Sequence, residues 1–94
     1  MEQLSEVVTK HQVVVVSKPS CPFCRRVLSL LSGYEGIDMV VLDASANPDW
    51  QRQNIALTNQ RTVPSVFVNG KHIGGCDDTT AAHSNGTLGK MLSA

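Results

Sequence analysis

The chain has 94 residues, of which 41% are hydrophobic, and its eight basic residues are balanced by eight acidic ones. This length suits a single domain, residues 1–94, and the balanced charge gives no electrostatic basis for binding nucleic acid or a membrane surface. The longest apolar runs are too short to span a bilayer, and residues 1–6 do not have the charge and apolar pattern of a secretory signal.

The cysteine content favours a reducing compartment. There are three cysteines, and two of them form the pair Cys21-Pro22-Phe23-Cys24. An odd number is a poor fit to a small secreted scaffold held by disulfides. In a chain without a secretory signal, a Cys-x-x-Cys pair is more often catalytic or metal-binding than structural. We therefore expect a cytoplasmic protein.

The first half of the chain predicts a helix, a strand, a second helix and a second strand. Residues 2–10 carry apolar side chains at helical spacing, and residues 11–16 end in a β-branched run typical of a strand buried on both faces. A helix is predicted over residues 22–31, and residues 39–42 predict a second buried strand. The two strands should be parallel, with a right-handed crossover between them.

The next segment predicts a helix and a β-hairpin. The helix should cover residues 47–57, with Asn47 as its N-cap and Pro48 at its first position. The β-type runs at residues 63–68 and 71–73 flank Asn69-Gly70, a dipeptide typical of type I′ turns because both central positions of such a turn require positive φ.

The last segment, residues 77–91, predicts one or two helices interrupted near Gly86. The order of elements indicates an α/β fold. About four strands with helices on both faces of the sheet would satisfy it.

Cys21 has the features of a reactive thiol. It lies where a buried strand ends and a helix begins, and Pro22 suits the first helical turn. As the N-cap, its sulfur would face free N–H groups and the positive end of the helix dipole, with Lys18 as a nearby cation. These features lower the pKa of cysteine and favour the thiolate, which is the attacking species in disulfide exchange. Cys24, one turn further along the helix, should be less exposed and able to resolve a mixed disulfide on Cys21.

A zinc site and a structural disulfide are the alternatives for this pair. Zinc would need two more ligands, and Cys76 and the three histidines include no second closely spaced pair. A disulfide across so short a loop would add little stability. We therefore predict a redox pair and no metal site.

Three blocks of sequence together resemble the dithiol glutaredoxin family. They occur in the family's order and spacing, and the resemblance covers nearly the whole chain. The blocks are Lys18-Pro19-Ser20-Cys21-Pro22-Phe23-Cys24, Arg61-Thr62-Val63-Pro64 and Gly74-Gly75-Cys76-Asp77-Asp78. The resemblance implies a thioredoxin fold with a mixed four-stranded sheet in the order 2-1-3-4, and a glutathione site beside the redox pair.

The resemblance also implies where glutathione binds. Lys18 and Gln51 would contact its glycine end, and Val63, before a Pro64 implied to be cis, would offer its main chain as an added strand does. The start of the last helical segment would take the γ-glutamyl end. The implied glutathione-binding set is Lys18, Phe23, Gln51, Thr62, Val63, Pro64, Cys76 and Asp77.

Two positions depart from the family pattern. Phe23 replaces a tyrosine, which removes a hydroxyl beside the sulfur but should preserve ring packing against the ligand. Asn59-Gln60 replaces a pair of small residues before the Arg-Thr-Val-Pro block, which should alter the rim of the groove. Trp50 and Tyr34 are expected to have packing roles.

The predicted function is that of a glutathione-dependent thiol-disulfide oxidoreductase. It would reduce glutathione mixed disulfides through Cys21 alone and protein disulfides through Cys21 and Cys24. The expected partners are glutathione or a related small thiol and proteins that are glutathionylated or contain disulfides. We expect a monomer.

Two other functions remain as alternatives. In the first, two chains share a [2Fe–2S] cluster through Cys21 and two glutathiones, since four thiolates suit such a cluster. The rigid ring of Pro22 argues against this because it narrows access to Cys21. In the second, the chain is a thioredoxin-type reductase served by a flavoprotein, for which Trp would be expected at Ser20.

Overall fold

The computed structural model describes residues 2–93. Helices and strands alternate through the first two thirds of the chain, and a hairpin and two helices complete it. In chain order the elements are α1 (Leu4–Lys10), β1 (Val13–Ser17), α2 (Pro22–Ser32), β2 (Met39–Asp43), α3 (Asp49–Thr58), β3 (Ser65–Val68), β4 (Lys71–Gly74), α4 (Cys76–Ser84) and α5 (Thr87–Ser93). Within residues 2–93, every helix is too short or too polar to cross a membrane.

The four strands form one mixed sheet in the order β2-β1-β3-β4. Strand β1 is parallel to β2 and antiparallel to β3, and β3 is antiparallel to β4. The predicted order of strands is therefore confirmed.

Strand β1 forms the centre of the molecule because both of its faces are buried. Val14 and Val16 pack with α1 and Phe67 on one face. Val13 and Val15 point to the opposite face, where the core is completed by α2, α5 and β3 through Val27, Leu31, Leu88, Val66 and Val68. The continuous valine run follows from this position, since a strand with helices on both sides has no polar face.

Strand β2 differs from its prediction. It lies at the edge of the sheet, its residues are at most half-buried, and Val41 is 45% exposed. The expectation of a second buried strand was wrong because it rested on the apolar residues 39–42 alone, whereas the implied order 2-1-3-4 gives β2 a single neighbour.

The predicted start of α3 was wrong by one position. Pro48 is the N-cap and the helix begins at Asp49, although the side chain of Asn47 accepts a hydrogen bond from the Asp49 N–H at 3.2 Å. Such a shift is within the usual uncertainty of helix ends. At the other end, Asn59 has φ 64° and terminates the helix in the left-handed conformation.

The hairpin and the closing helices agree with their predictions. Asn69 and Gly70 have φ values of 52° and 79°, as a type I′ turn requires. The closing segment is two helices, and Gly86 between them has φ 84°. Helix α4 begins one residue earlier than predicted, at Cys76.

The sheet topology brings three distant segments to one edge. Strand β1 ends at Ser17, just before α2. Because β3 runs in the opposite direction, Ser65 at its start lies opposite Val16 near the end of β1. Gly74 at the end of β4 lies opposite Val66, so the start of α4 reaches the same edge.

We predict that truncation of the core below this edge destabilises the protein far more than truncation of a surface leucine. Leu31 is fully buried, whereas Leu57 is 48% exposed, and both lie in helices. Leu31→Ala should lower the free energy of unfolding by about 2–5 kcal/mol because it leaves a cavity. Leu57→Ala should lower it by about 1 kcal/mol or less. Urea titration of both variants followed by circular dichroism checks this, and equal losses would contradict it.

Candidate active site

Cys21 is the N-cap of α2, as predicted. Its backbone is extended, with φ −91° and ψ 116°, and Pro22 follows at the first helical position. The sulfur accepts a hydrogen bond from the Cys24 N–H at an N···S distance of 3.4 Å. The first turn of the helix therefore points at the sulfur a backbone donor that has no partner within the helix, and this donor stabilises negative charge on the sulfur.

The surroundings of Cys21 lower its pKa. Burial raises the pKa, but hydrogen bonds from the backbone and thiol of Cys24 and from the Phe23 backbone outweigh it, and the Arg25 guanidinium adds positive charge. The thiolate is therefore more abundant at neutral pH than for an ordinary cysteine. Lys18 was predicted to be the nearby cation, and Arg25 was missed, although its position in the first turn of the same helix was an available signal.

Cys24 has the opposite properties. Its side chain is completely buried, and burial raises its pKa. Hydrogen bonds from the Lys18 backbone and the Ser17 side chain oppose this increase, whereas the neighbouring Cys21 sulfur adds to it. Cys21 therefore ionises first, and Cys24 is shielded from solvent, so the two cysteines are suited to different steps.

A groove of about 470 Å³ lies beside Cys21. This volume falls within the range of roughly 300–1,000 Å³ that is typical of small-molecule sites. It is lined by Phe23, Gln60, Thr62, Val63, Pro64, Gly75, Cys76, Asp77 and Asp78. The Cys21 thiol donates to the Val63 carbonyl at an S···O distance of 3.8 Å, which joins the reactive sulfur to the groove.

Six of the eight residues predicted to bind glutathione line this groove. They come from the first turn of α2, the loop before β3 and the first turn of α4, and are Phe23, Thr62, Val63, Pro64, Cys76 and Asp77. The peptide bond between Val63 and Pro64 is cis, as the resemblance implied.

Lys18 and Gln51 lie outside the lining of the groove. Lys18 directly follows β1 and is half-buried. The Gln51 side chain donates to the Arg61 carbonyl at 2.8 Å, which places it against the loop that leads into the groove. Its Oε1 atom is buried and has no hydrogen-bond partner among the described residues.

The first turn of α4 forms another wall of the groove. Gly75 is the N-cap, Cys76 is half-buried with its thiol unoxidised, and Asp77 is exposed. Gly74, at φ 128°, packs so closely against Asp78 that an added Cβ would lie 2.2 Å from a carboxylate oxygen. Glycine is therefore required at this position by both the backbone conformation and the available space.

Gln60 was expected only to alter the rim of the groove, and the structure places its side chain in the lining of the groove. Its side-chain nitrogen donates to the carbonyls of Thr62 and Pro64, each at 2.8 Å. The signal for it was an amide side chain beside the Arg-Thr-Val-Pro block, but a sequence does not show where such a side chain points.

The two aromatic residues that were assigned packing roles do pack. Trp50 lies against the core on the α1 side of the sheet. Tyr34 lies against the opposite core, and its hydroxyl is 2.5 Å from Nδ1 of His83. Within residues 2–93, His, Cys, Asp and Glu side chains form no group of three that could hold a metal ion.

A low-pKa thiol at a helix N-cap, next to a cis-proline loop on a 2-1-3-4 sheet, defines a thiol oxidoreductase of the thioredoxin fold. Comparison with known proteins narrows this class. The family model described as Glutaredoxin matches residues 13–73, which is more than half of the chain. The chain belongs to the glutaredoxin family.

Individual members of the family are similar to this chain along nearly its full length. A glutaredoxin from Ricinus communis is 45% identical over 98% of this chain and 92% of its own. The chloroplastic Glutaredoxin-C4 of Oryza sativa subsp. japonica is 44% identical over 98% of this chain and 71% of its own. The crystal structure of a buckwheat glutaredoxin–glutathione complex superposes with a TM-score of 0.86, at 37% identity, over 95% of this chain and 83% of that one.

We predict that Cys21 reacts with alkylating agents at a pH below the range of ordinary thiols. In a Cys24→Ser, Cys76→Ser background, Cys21 is the sole thiol, and its rate with iodoacetamide should follow its thiolate fraction. Because positive charge near the sulfur lowers its pKa, Arg25→Met should move the midpoint of the pH–rate curve upward.

Arg26→Met is the matched control, because Arg26 stacks on the Phe23 ring at 5.5 Å and is not among the causes of the lowered pKa. Its midpoint should stay closer to that of the parent. A parent midpoint at the pH of a free cysteine would contradict the assignment of Cys21 as a thiolate.

Proposed function

We propose that this glutaredoxin reduces glutathione mixed disulfides through Cys21 alone and protein disulfides through Cys21 and Cys24 together. The observation that carries the proposal is the contrast between the two thiols. Cys21 borders the groove with a lowered pKa, whereas Cys24 is buried with a raised pKa.

In the proposed monothiol route, the Cys21 thiolate attacks the glutathione sulfur of a mixed disulfide. The bond between glutathione and the substrate protein breaks, and the protein leaves as a thiolate that takes up a proton. Cys21 is left in a disulfide with glutathione. A second glutathione thiolate attacks the glutathione sulfur of that disulfide, which releases oxidised glutathione and restores the Cys21 thiolate.

In the proposed dithiol route, the Cys21 thiolate attacks one sulfur of a protein disulfide and forms a mixed disulfide with the protein. The disulfide bond of the protein breaks, and its other sulfur leaves as a thiolate that takes up a proton. Cys24 then loses its proton and attacks the Cys21 sulfur, which releases the second protein thiol and leaves the Cys21–Cys24 disulfide. The Cys24 thiol already forms a hydrogen bond with the Cys21 sulfur, so the resolving sulfur starts close to the atom that it attacks. Two glutathione molecules then reduce the disulfide.

The groove supports a proposed orientation of glutathione with its sulfur toward Cys21. The main chain of Val63 would bind the ligand backbone as an added strand does. The N-terminus of α4 would bind the γ-glutamyl carboxylate, and Asp77 would contact its ammonium group. Lys18 and Gln51, which lie outside the lining of the groove, would bind the glycine carboxylate. Glutathione in the buckwheat complex supports this choice of ligand.

Several finer expectations stay predictions. They are the use of glutathione rather than a related small thiol in the cell, the identity of the oxidised protein substrates, the monomeric state and the cytoplasmic location. The [2Fe–2S] alternative also stays open as a prediction, and anaerobic reconstitution followed by absorption spectroscopy and gel filtration would test it together with the monomeric state.

We predict that the two cysteine variants separate the two routes. Cys24→Ser should retain reduction of a glutathionylated peptide, because only Cys21 exchanges disulfides in that route, and should lose reduction of a protein disulfide. Cys21→Ser should lose both activities. Coupled assays with each substrate measure this. Cys76→Ser is the control that should retain both activities, because the start of α4 would bind glutathione through backbone N–H groups that this substitution keeps. A Cys24→Ser protein inactive with both substrates would refute the division of roles.

We predict that Lys18→Met raises the KM for a glutathionylated peptide while kcat changes little. Removal of one charged contact to a carboxylate should cost roughly threefold to tenfold in KM. Lys71→Met is the matched control, since Lys71 is exposed beside the hairpin turn at the opposite end of β4. Equal KM values for the two variants would exclude Lys18 from the binding site.

A further inference from the structure

The main chain of Gln60 is held firmly by the end of α3. Its N–H donates to the Thr58 hydroxyl at 3.0 Å, and its carbonyl accepts from the Asn54 side chain at 3.1 Å. Asn54 is itself 1% exposed, and its own carbonyl accepts from the Thr58 hydroxyl at 2.7 Å. The Gln60 side chain therefore extends into the groove from a fixed origin.

The Gln60 amide holds the loop on both sides of Val63. Its Nε2 atom donates to the carbonyl before Val63, at Thr62, and to the carbonyl after it, at Pro64. Both partners are acceptors only, so the nitrogen and not the oxygen of the amide must face them. Gly75 lies against the same contact, since a Cβ on it would be 3.6 Å from the Pro64 carbonyl and 3.8 Å from Nε2.

Side chains supply the donors for all four carbonyls of this loop. Residues 61–64 lie outside the helices and strands, so the regular backbone pairing of the sheet does not hold them. The carbonyls accept from Gln51 at Arg61, from Gln60 at Thr62, from Cys21 at Val63 and from Gln60 at Pro64.

One of these four contacts is lost when the enzyme reacts. A Cys21 thiolate or a Cys21 disulfide has no S–H to donate, so the Val63 carbonyl loses its hydrogen bond from Cys21 in both reactive forms. The two Gln60 contacts do not depend on the state of the sulfur. The hydrogen bonds from Gln60 to the carbonyls on either side of Val63 can therefore persist throughout the reaction.

We propose that Gln60 is a positioning residue that holds the Val63 main chain in the orientation needed to bind the backbone of a glutathione-containing substrate. This inference rests on the proposed glutathione-dependent function. Gln60 acts through Val63, so its effect belongs to binding and not to the chemistry of the sulfur.

The test is the Gln60→Met variant, which keeps a similar side-chain length and removes both donors. Its KM for a glutathionylated peptide should rise about fivefold to twentyfold, the effect expected when two ordinary hydrogen bonds that orient a binding surface are lost. Its kcat and the rate of Cys21 alkylation by iodoacetamide should stay within about twofold of the wild type, because a uniform loss of binding does not alter the chemical step.

Gln12→Met is the matched control. Gln12 also donates from its side chain to a backbone carbonyl, that of Leu92 at 2.9 Å, but it precedes β1 at the end of the sheet away from the groove. Its KM should equal that of the wild type even if its thermal stability falls. Wild-type turnover with glutathione is measured in parallel, and its absence would refute the proposed function rather than the role of Gln60.

Gln60→Ala is made as a second variant, in case methionine cannot be accommodated. An unchanged KM in a folded Gln60 variant would overturn the proposal, as would equal increases in KM for Gln60→Met and Gln12→Met. Failure of both Gln60 variants to fold, judged by circular dichroism, would assign Gln60 to the stability of the fold and also overturn it.

Discussion

The hydrogen bond from the Cys24 N–H to the Cys21 sulfur is the contact on which the organisation of the site depends. It forms because Cys21 is the N-cap of α2 and Cys24 is the third helical residue after it. Cys24 thus stabilises the reactive thiolate with its backbone N–H and supplies the second thiol with its side chain. Burial raises the pKa of that second thiol, so the first turn of one helix produces two cysteines of unequal reactivity.

The mixed sheet determines what surrounds this turn. Reversal of β3 relative to β1 places the cis Pro64 loop beside the end of β1, and β4 then returns so that α4 begins at the same edge. The groove consequently lies between the first turns of two helices, α2 and α4. Helix N-termini favour negative charge, so this arrangement combines a thiolate site with a second site suited to a carboxylate. Glutathione carries both a sulfur and carboxylates, so its groups match these two sites.

The features that were predicted correctly from the sequence are those determined by neighbouring residues. The N-cap at Cys21 follows from Pro22, and the hairpin turn follows from the positive φ values that Asn69-Gly70 favours. The exposure of β2 was missed because its apolar residues indicate a buried strand, although the order implied by the resemblance already placed β2 at the edge of the sheet. The roles of Arg25 and Gln60 were missed because each depends on the direction of a side chain in three dimensions. The cis Pro64 bond came from the family resemblance and not from local sequence.

In the proposed binding mode, the Val63 carbonyl would connect the chemistry of the sulfur with the binding of glutathione. In the thiol form it accepts the S–H of Cys21 at 3.8 Å. Ionisation removes that donor, so the carbonyl of this half-buried residue is left free to accept another hydrogen bond. A ligand that binds along Val63 as an added strand supplies a backbone N–H of its own to this acceptor. If glutathione binds as proposed, formation of the thiolate frees the acceptor that the ligand would use, so the groove would be better prepared to bind it in the state in which the sulfur is ready to attack.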